Sequence, residues 1–208
     1  MCAELLADAN GHVVLTGGTT PGRAYELAAD LRPDWRSAEV WWGDERCVPP
    51  EHEWSNYGLA KRTLLDRLAT PPAAVHRIRG ELGAARAAEE YDRELEGVTP
   101  DFVLLGLGPD GHAASLYPFA PGLAERERRA IPAEAKLEPP VDRVTMTIPV
   151  LGSAPLVVFL AAGPEKADAV RRAFAEPPSE ATPASLIRSK NGETVVILDP
   201  AAAQELEI

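Results

Sequence analysis

Phe102-Val103-Leu104-Leu105-Gly106-Leu107-Gly108-Pro109-Asp110-Gly111-His112 is the stretch on which the fold turns. Its apolar run, with no polar alternation, reads as a strand buried on both faces, and the glycines read as the loop at its carboxyl end. Those glycines match G-x-G-x-x-G, the pattern of a dinucleotide-binding turn, but the context fails it. Pro109 occupies the turn, the match lies mid-chain, and a proline-rich segment follows where a second strand and its ribose-binding acid belong. What the loop displays instead is Asp110 and His112 on a strand end, with Ala113-Ala114-Ser115-Leu116 expected to begin a helix.

The same grammar repeats on either side. Val13-Val14-Leu15 runs into Thr16-Gly17-Gly18-Thr19-Thr20-Pro21, after which Ala24, Leu27, Ala28 and Leu31 fall at helical spacing. Val40-Trp41-Trp42 runs into Gly43-Asp44-Glu45-Arg46, a proline-marked loop, and a helix whose buried stripe is Ala60, Leu64 and Leu68. Ala84 to Leu95 reads as a third helix. Tyr117 to Pro140, rich in proline and charge, reads as mostly loop with one short helix. Val144, Met146 and Ile148 alternate with Arg143, Thr145 and Thr147 at strand period. Leu156 to Ala161 is another buried strand, followed by Gly163-Pro164-Glu165-Lys166 and a helix to Phe174, and Val195 to Leu198 closes the series. Strands alternating with helices predict the α/β class: a three-layer sandwich around a mostly parallel sheet, with ligands bound beyond the strands' carboxyl ends. At 208 residues the chain suits one domain, 1–208.

Composition narrows the function. Hydrophobic residues make up 45% and charged residues 25%, as in an ordinary soluble protein. No apolar run approaches the roughly 20 residues that span a bilayer, so no membrane partner is expected. The opening residues, Met1 to His12, lack a basic segment followed by an apolar one, so no signal peptide is expected. Cys2 and Cys47 show no metal-ligand spacing and read as reduced thiols of a cytoplasmic protein. A net charge of −11 repels polyanions, which argues against nucleic-acid binding. It also means that a small phosphate ester would have to be met by local cations. The expected state is a monomer or small homo-oligomer.

Four loops carry the candidate chemistry. In Thr16–Pro21 the glycines let the backbone approach a ligand closely, Pro21 suits the first helical position, and the helix start favours a phosphate. The alternative is a tight turn capped by Thr19 or Thr20. In Gly43–Arg46 two acids and an arginine crowd a strand end. Arg46 offers a planar fork suited to phosphate oxygens, against the alternative of a surface ion pair. Trp54 to Tyr57 serve either as a pocket wall or as core. His112 beside Asp110 is a general-base candidate, since imidazole titrates near neutrality; a purely structural histidine is the alternative. Lys166, one of only four lysines, opposes the dipole of the helix it begins, a conflict that bound phosphate would remove and a solvated lysine would tolerate. No residue set has metal-ligand spacing, so neither metal nor cofactor is expected.

Together and in this order, the loops resemble the 6-phosphogluconolactonase family, which is related to the glucosamine-6-phosphate deaminases. The stretches that carry the resemblance are LTGGTTP (15–21), WWGDERCVP (41–49) with SNYG (55–58), LLGLGPDGHAASLYP (104–118), RVTMTIPVL (143–151) and GPEKA (163–167). The resemblance implies a Rossmann-related sandwich and hydrolysis of 6-phosphoglucono-1,5-lactone, a phosphorylated sugar lactone, in the oxidative pentose phosphate pathway. It implies that His112 activates water with Asp110 as its neighbour, and that Gly17, Gly18, Thr19, Arg46 and Lys166 line the phosphate end. Arg143 and Asp44 match family positions without a defined role in a lactonase, Asp44 standing where the deaminases keep a catalytic acid. Deaminases resembling this chain carry glutamate where Tyr117 stands and tyrosine where Arg46 stands, which separates the two activities. Fewer residues precede Val13 than the family pattern usually has, and Thr16 and Thr19 stand where serines are frequent.

The expected mechanism needs no metal and no covalent nucleophile. His112 takes a proton from the attacking water and returns it to the departing ring oxygen, while N–H groups near Gly108 or Gly111 hold the oxyanion. Two alternatives are a sugar-phosphate isomerase or deaminase on the same scaffold, and a non-catalytic sugar-phosphate-binding effector domain. The second would need a DNA-binding module or a basic patch.

Overall fold

Six parallel strands form the central sheet of the computed structural model, which describes residues 1–136 and 138–206. They are β1 (Gly11–Leu15), β2 (Ala38–Trp42), β4 (Ala74–Val75), β5 (Phe102–Gly106), β8 (Leu156–Ala161) and β9 (Glu193–Leu198), in the order β4-β2-β1-β5-β8-β9. The chain steps outward from β1 to β2 and β4, then crosses to the other side of β1 and continues through β5, β8 and β9. The loops leaving β1 and β5 therefore part in opposite directions, and the crevice between them is where such sheets bind ligands. Val13, Val14, Leu15, Val103, Leu104, Leu105, Val157 and Val158 are fully buried, as a parallel sheet covered on both faces requires.

Helices flank this sheet: α1 (Cys2–Asp8), α2 (Thr19–Leu31), α3 (Asn56–Thr63), α4 (Ala84–Glu94), the single turn α5 (Ile148–Leu151) and α6 (Ala167–Phe174). Helix α1 packs on α2, and α2 on α3. A second, antiparallel sheet has the order β3-β7-β6, from β3 (Asp44–Arg46), β6 (Ala130–Ala133) and β7 (Arg143–Met146), with α4 packed on its last two strands.

Several local expectations change. Arg143–Met146 is a strand, but all four residues are buried and the strand belongs to the small sheet, while Ile148 already starts α5. Its alternation marks the two covered faces of a thin sheet, not one wet and one dry face. The Tyr117–Pro140 segment contributes strand β6 as well as a short turn at Pro121–Ala124, with Leu137 outside the described residues. In α2 the buried face is Ala24, Tyr25, Ala28 and Ala29, whereas Leu27 and Leu31 are 42% and 59% exposed. Small residues let this helix lie close to its neighbours and leave the leucines outside. Leu68 falls beyond α3 and is only half-buried. Residues 113–116 form no helix. They make a turn closed by the Leu116 N–H donating to the Ala113 carbonyl at 3.1 Å, with Ala114 at φ 51°. Helix α1 and the two-residue β4 carry too little periodicity to be read from sequence.

Candidate active site

A cavity of about 430 Å³ opens beyond the carboxyl ends of β1, β2, β5 and β8. Its walls include Gly17, Gly18, Thr19, Asp44, Arg46, His112, Arg143 and Lys166, so the four candidate loops converge on one space. Asp110 adjoins it through His112.

The glycine turn is held from behind. The buried Tyr25 hydroxyl of α2 accepts the Thr16 N–H (2.9 Å) and donates to the Thr16 carbonyl (2.6 Å), pinning the end of β1 to the helix that follows. The cap of α2 is Gly18 at φ 106°, a conformation that favours glycine, and no side chain caps the helix, so neither Thr19 nor Thr20 plays that part. Pro21 falls at the third helical position rather than the first. The N–H groups of Gly17, Gly18, Thr19 and Thr20 have no hydrogen-bond partner among the described residues. Unpartnered N–H groups at the positive end of a 13-residue helix are a ready site for an anion.

Across the cavity, β3 and β7 place Arg46 directly opposite Arg143. Like charges in register destabilise a ladder unless something negative lies between or beside them. Arg46 donates from Nη1 to the Trp54 carbonyl at 2.6 Å, and its buried Nε has no acceptor among the described residues. Arg143 is 3% exposed and donates to the carbonyls of Val141 (2.7 Å) and Pro139 (3.0 Å), with its guanidinium over the Tyr117 ring. Sequence spacing does not show this juxtaposition, because the two arginines stand in separate segments. Lys166 ends the short turn Pro164–Lys166 at the start of α6, and that turn is held where Asp199 accepts the Gly163 N–H. From the Trp54–Tyr57 stretch it is Asn56 that lines the cavity; Trp54 is partly exposed, and Tyr57 lies edge-on to Trp42.

His112 and Asp110 form a couple. Asp110 Oδ1 lies 2.5 Å from His112 Nδ1 and also accepts the His112 backbone N–H at 3.1 Å. Burial pushes the Asp110 carboxyl up, but its bonds to His112 and the histidine's charge outweigh it and hold the group below the usual carboxylate range. The couple is therefore oriented through Nδ1, which leaves Nε2 without a protein partner among the described residues. Tyr117 lies against the other side of the ring, with 5.0 Å between centroids. The N–H groups expected to meet an oxyanion are already used: Gly108 donates to the His112 carbonyl and Gly111 to the Gly108 carbonyl, each at 2.9 Å. They close the loop that carries the histidine. Ala114, by contrast, lines the cavity at positive φ, and its N–H has no partner among the described residues.

Asp44 is no free acid. It is 6% exposed, with Oδ2 accepting from Ser115 Oγ (2.6 Å) and Oδ1 from Asn56 Nδ2 (3.1 Å). It thereby ties the histidine loop to the start of α3. Ser115 is further anchored through its N–H to Thr145 Oγ1 at 3.3 Å. Behind Asp44, the buried Glu45 accepts from the N–H groups of Arg46, Asn56 and Tyr57 and from Ser55 Oγ at 2.7–2.9 Å. Burial pushes its carboxyl up to about 7, against these bonds. Sequence reasoning left out Asn56, Ser115 and the supporting role of Glu45. The serine–asparagine pair at a helix start after a proline loop signalled Asn56, while no local pattern pointed to Ser115 or Glu45.

Residues 2–196 match the family described as glucosamine-6-phosphate isomerases/6-phosphogluconolactonase. A 6-phosphogluconolactonase from Homo sapiens is 37% identical over 206 residues, covering 93% of this chain and 80% of that protein. The crystal structure of a 6-phosphogluconolactonase from Thermotoga maritima superposes with a TM-score of 0.81 at 30% identity, covering 94% of this chain and 89% of that one. A 6-phosphogluconolactonase structure from Trypanosoma brucei superposes with a TM-score of 0.84 at 27% identity, covering 99% and 90%. The matched span takes in all four loops of the cavity together with the strands that hold them, and the chain belongs to the glucosamine-6-phosphate isomerase/6-phosphogluconolactonase family.

Proposed function

We propose that this chain hydrolyses 6-phospho-D-glucono-1,5-lactone to 6-phospho-D-gluconate, the lactonase step of the oxidative pentose phosphate pathway, as one domain acting in the cytoplasm. The observation that carries the reading is a carboxylate-oriented histidine facing the same cavity as an uncapped helix start and a pair of arginines. The cavity's size suits a phosphorylated six-membered lactone ring. The free N–H groups of Gly17 to Thr20, with Arg46, Arg143 and Lys166, receive the phosphate. That fixes the lactone carbonyl near His112.

In the first step His112 Nε2 takes a proton from water as its oxygen bonds to the carbonyl carbon. The resulting oxyanion is met by the N–H of Ala114. In the second step the bond between that carbon and the ring oxygen breaks, the electron pair leaves on the ring oxygen, and the imidazolium proton goes to it. The product acid then ionises. Asp110 holds the imidazole and balances its charge, and Asp44 positions the loop without exchanging protons. The carbonyl is already electrophilic, so we infer that no metal takes part. The Tyr117 ring occupies the far side of His112, where a deaminase would need a second carboxylate.

The test is to supply freshly generated 6-phosphogluconolactone and measure its disappearance above the spontaneous rate. Unphosphorylated gluconolactone should be a poor substrate, and Arg46→Ala should weaken binding of the phosphorylated one by roughly ten- to a hundredfold, the cost of a charge-assisted contact. No acceleration over the spontaneous rate would end this reading. Equal efficiency on both lactones would remove the phosphate role from the arginines.

A further inference from the structure

Arg126, Arg128 and Arg129 line a second hollow, of about 120 Å³, with Thr99, Ser153 and, as its one acid, Glu127. Thr99 lies just before β5 begins, so this hollow sits at the amino end of that strand, opposite the cavity at its carboxyl end. Most arginines outside the two cavities, such as Arg23, Arg77 and Arg172, pair with carboxylates, as expected in a chain of net charge −11. Arg126, Arg128 and Arg129 make no ion pair among the described residues.

The acids nearest them are turned to the backbone. Glu125 Oε1 accepts the N–H groups of Arg126 (2.7 Å), Glu127 (2.8 Å) and Arg128 (3.1 Å). Asp92 Oδ1 accepts those of Arg129 (2.6 Å) and Ala130 (3.1 Å). The carboxylates thus spend their hydrogen bonds on shaping the loop. Although Glu125 also feels the Arg128 charge, none of the three guanidinium groups has a carboxylate in ion-pair contact among the described residues. Among the described residues the Arg126 guanidinium donates only to the carbonyls of Leu123 and Glu125, that of Arg129 donates from Nη2 to the Val98 carbonyl, and the buried Arg129 Nε has no acceptor. Three like charges around one small space repel each other, and a tetrahedral oxyanion between them removes the repulsion.

We infer that this hollow binds a phosphate group, either inorganic phosphate or the phosphoryl end of a phosphate monoester, independently of the catalytic cavity. It is too small for a whole sugar phosphate, so any remainder of a monoester lies outside it.

The test is an amide-resolved NMR titration of the whole protein with inorganic phosphate, and separately with glycerol phosphate, at constant ionic strength. Saturable shifts at residues 99, 126–130 and 153 are expected, separate from those at 17–20 that report on the first cavity. Tighter binding of one anion identifies the source, and either supports the site. Arg128 is exposed, so Arg128→Ser should fold normally and weaken binding at residues 126–130 about tenfold, with binding at 17–20 unchanged. Glu127→Gln, which removes the opposing charge, should tighten it. Shifts that rise linearly without saturating, or that are unaffected by both substitutions, would overturn the site.

Discussion

The two nitrogens of the His112 ring have different surroundings, and this sets what a substitution does. Nδ1 is committed to Asp110 at 2.5 Å, so the tautomer with its proton there presents a lone pair at Nε2. His112→Ala should lower turnover by about a hundredfold or more, the usual range for a general base, with KM little changed if, as proposed, the cations hold the phosphate end of the substrate. Turnover within a fewfold of the original in a folded variant would transfer the role to another group. A structural histidine holding the Gly108–Gly111 loop would instead show lost thermal stability and weaker binding. The Asp110 half of the couple is resistant to mild acid. The Asp110 carboxyl lies below its ordinary range, so its contribution is present above that range and is lost only as pH falls through the depressed value. Asp110 and His112 were legible in sequence because both sit in one short loop. The committed N–H groups of Gly108 and Gly111 were not, since they depend on how that loop closes on itself.

Among the elements, α3 and β3 are joined by Glu45 as well as by the Asp44–Asn56 contact. Ser55 caps α3 by accepting the Gly58 N–H at 2.9 Å, which follows from its place before the helix. Glu45 reaches the same helix start from another strand, and no local pattern shows that. Glu45→Ala leaves its donors without an acceptor and should cost about 2–4 kcal/mol. That corresponds to a fall in Tm on the order of 10 °C, measured calorimetrically. The pH dependence has a definite sign. The carboxyl is raised from 4.5 to about 7 in the fold, so its contribution is full below 4.5, shrinks as pH rises, and is gone above about 7. The stability of the native protein relative to Glu45→Gln should therefore decline between pH 4.5 and 7. A difference that is flat over this range would show that Glu45 keeps its charge in the fold. Helix α2 shows the opposite strategy, since its start has no side-chain cap and the N–H groups of Gly17 to Thr20 have no partner among the described residues.

For the whole molecule the governing fact is charge. With a net charge of −11, an anionic substrate is met only where the fold collects cations. It does so by bringing Arg46 and Arg143 into register and adding Lys166 from a third segment. Among the described residues no three His, Cys, Asp or Glu side chains stand together to hold a metal ion, and no helix is long and apolar enough to cross a membrane. Activity should accordingly survive exhaustive chelation. A large loss restored by zinc or magnesium would show that a metal assists the carbonyl. The sequence by itself determined the α/β class, the strands β1, β2, β5, β8 and β9, and the four loops, because buried strands and glycine turns are written in consecutive residues. Only the tertiary structure decided that β7 leaves the central sheet and that the Arg46–Arg143 pair forms. It also decided that Asp44 acts as a brace and that a second arginine hollow lies at the other end of β5. Those features join residues far apart in the chain, and their energies depend on burial and register, which no local stretch encodes.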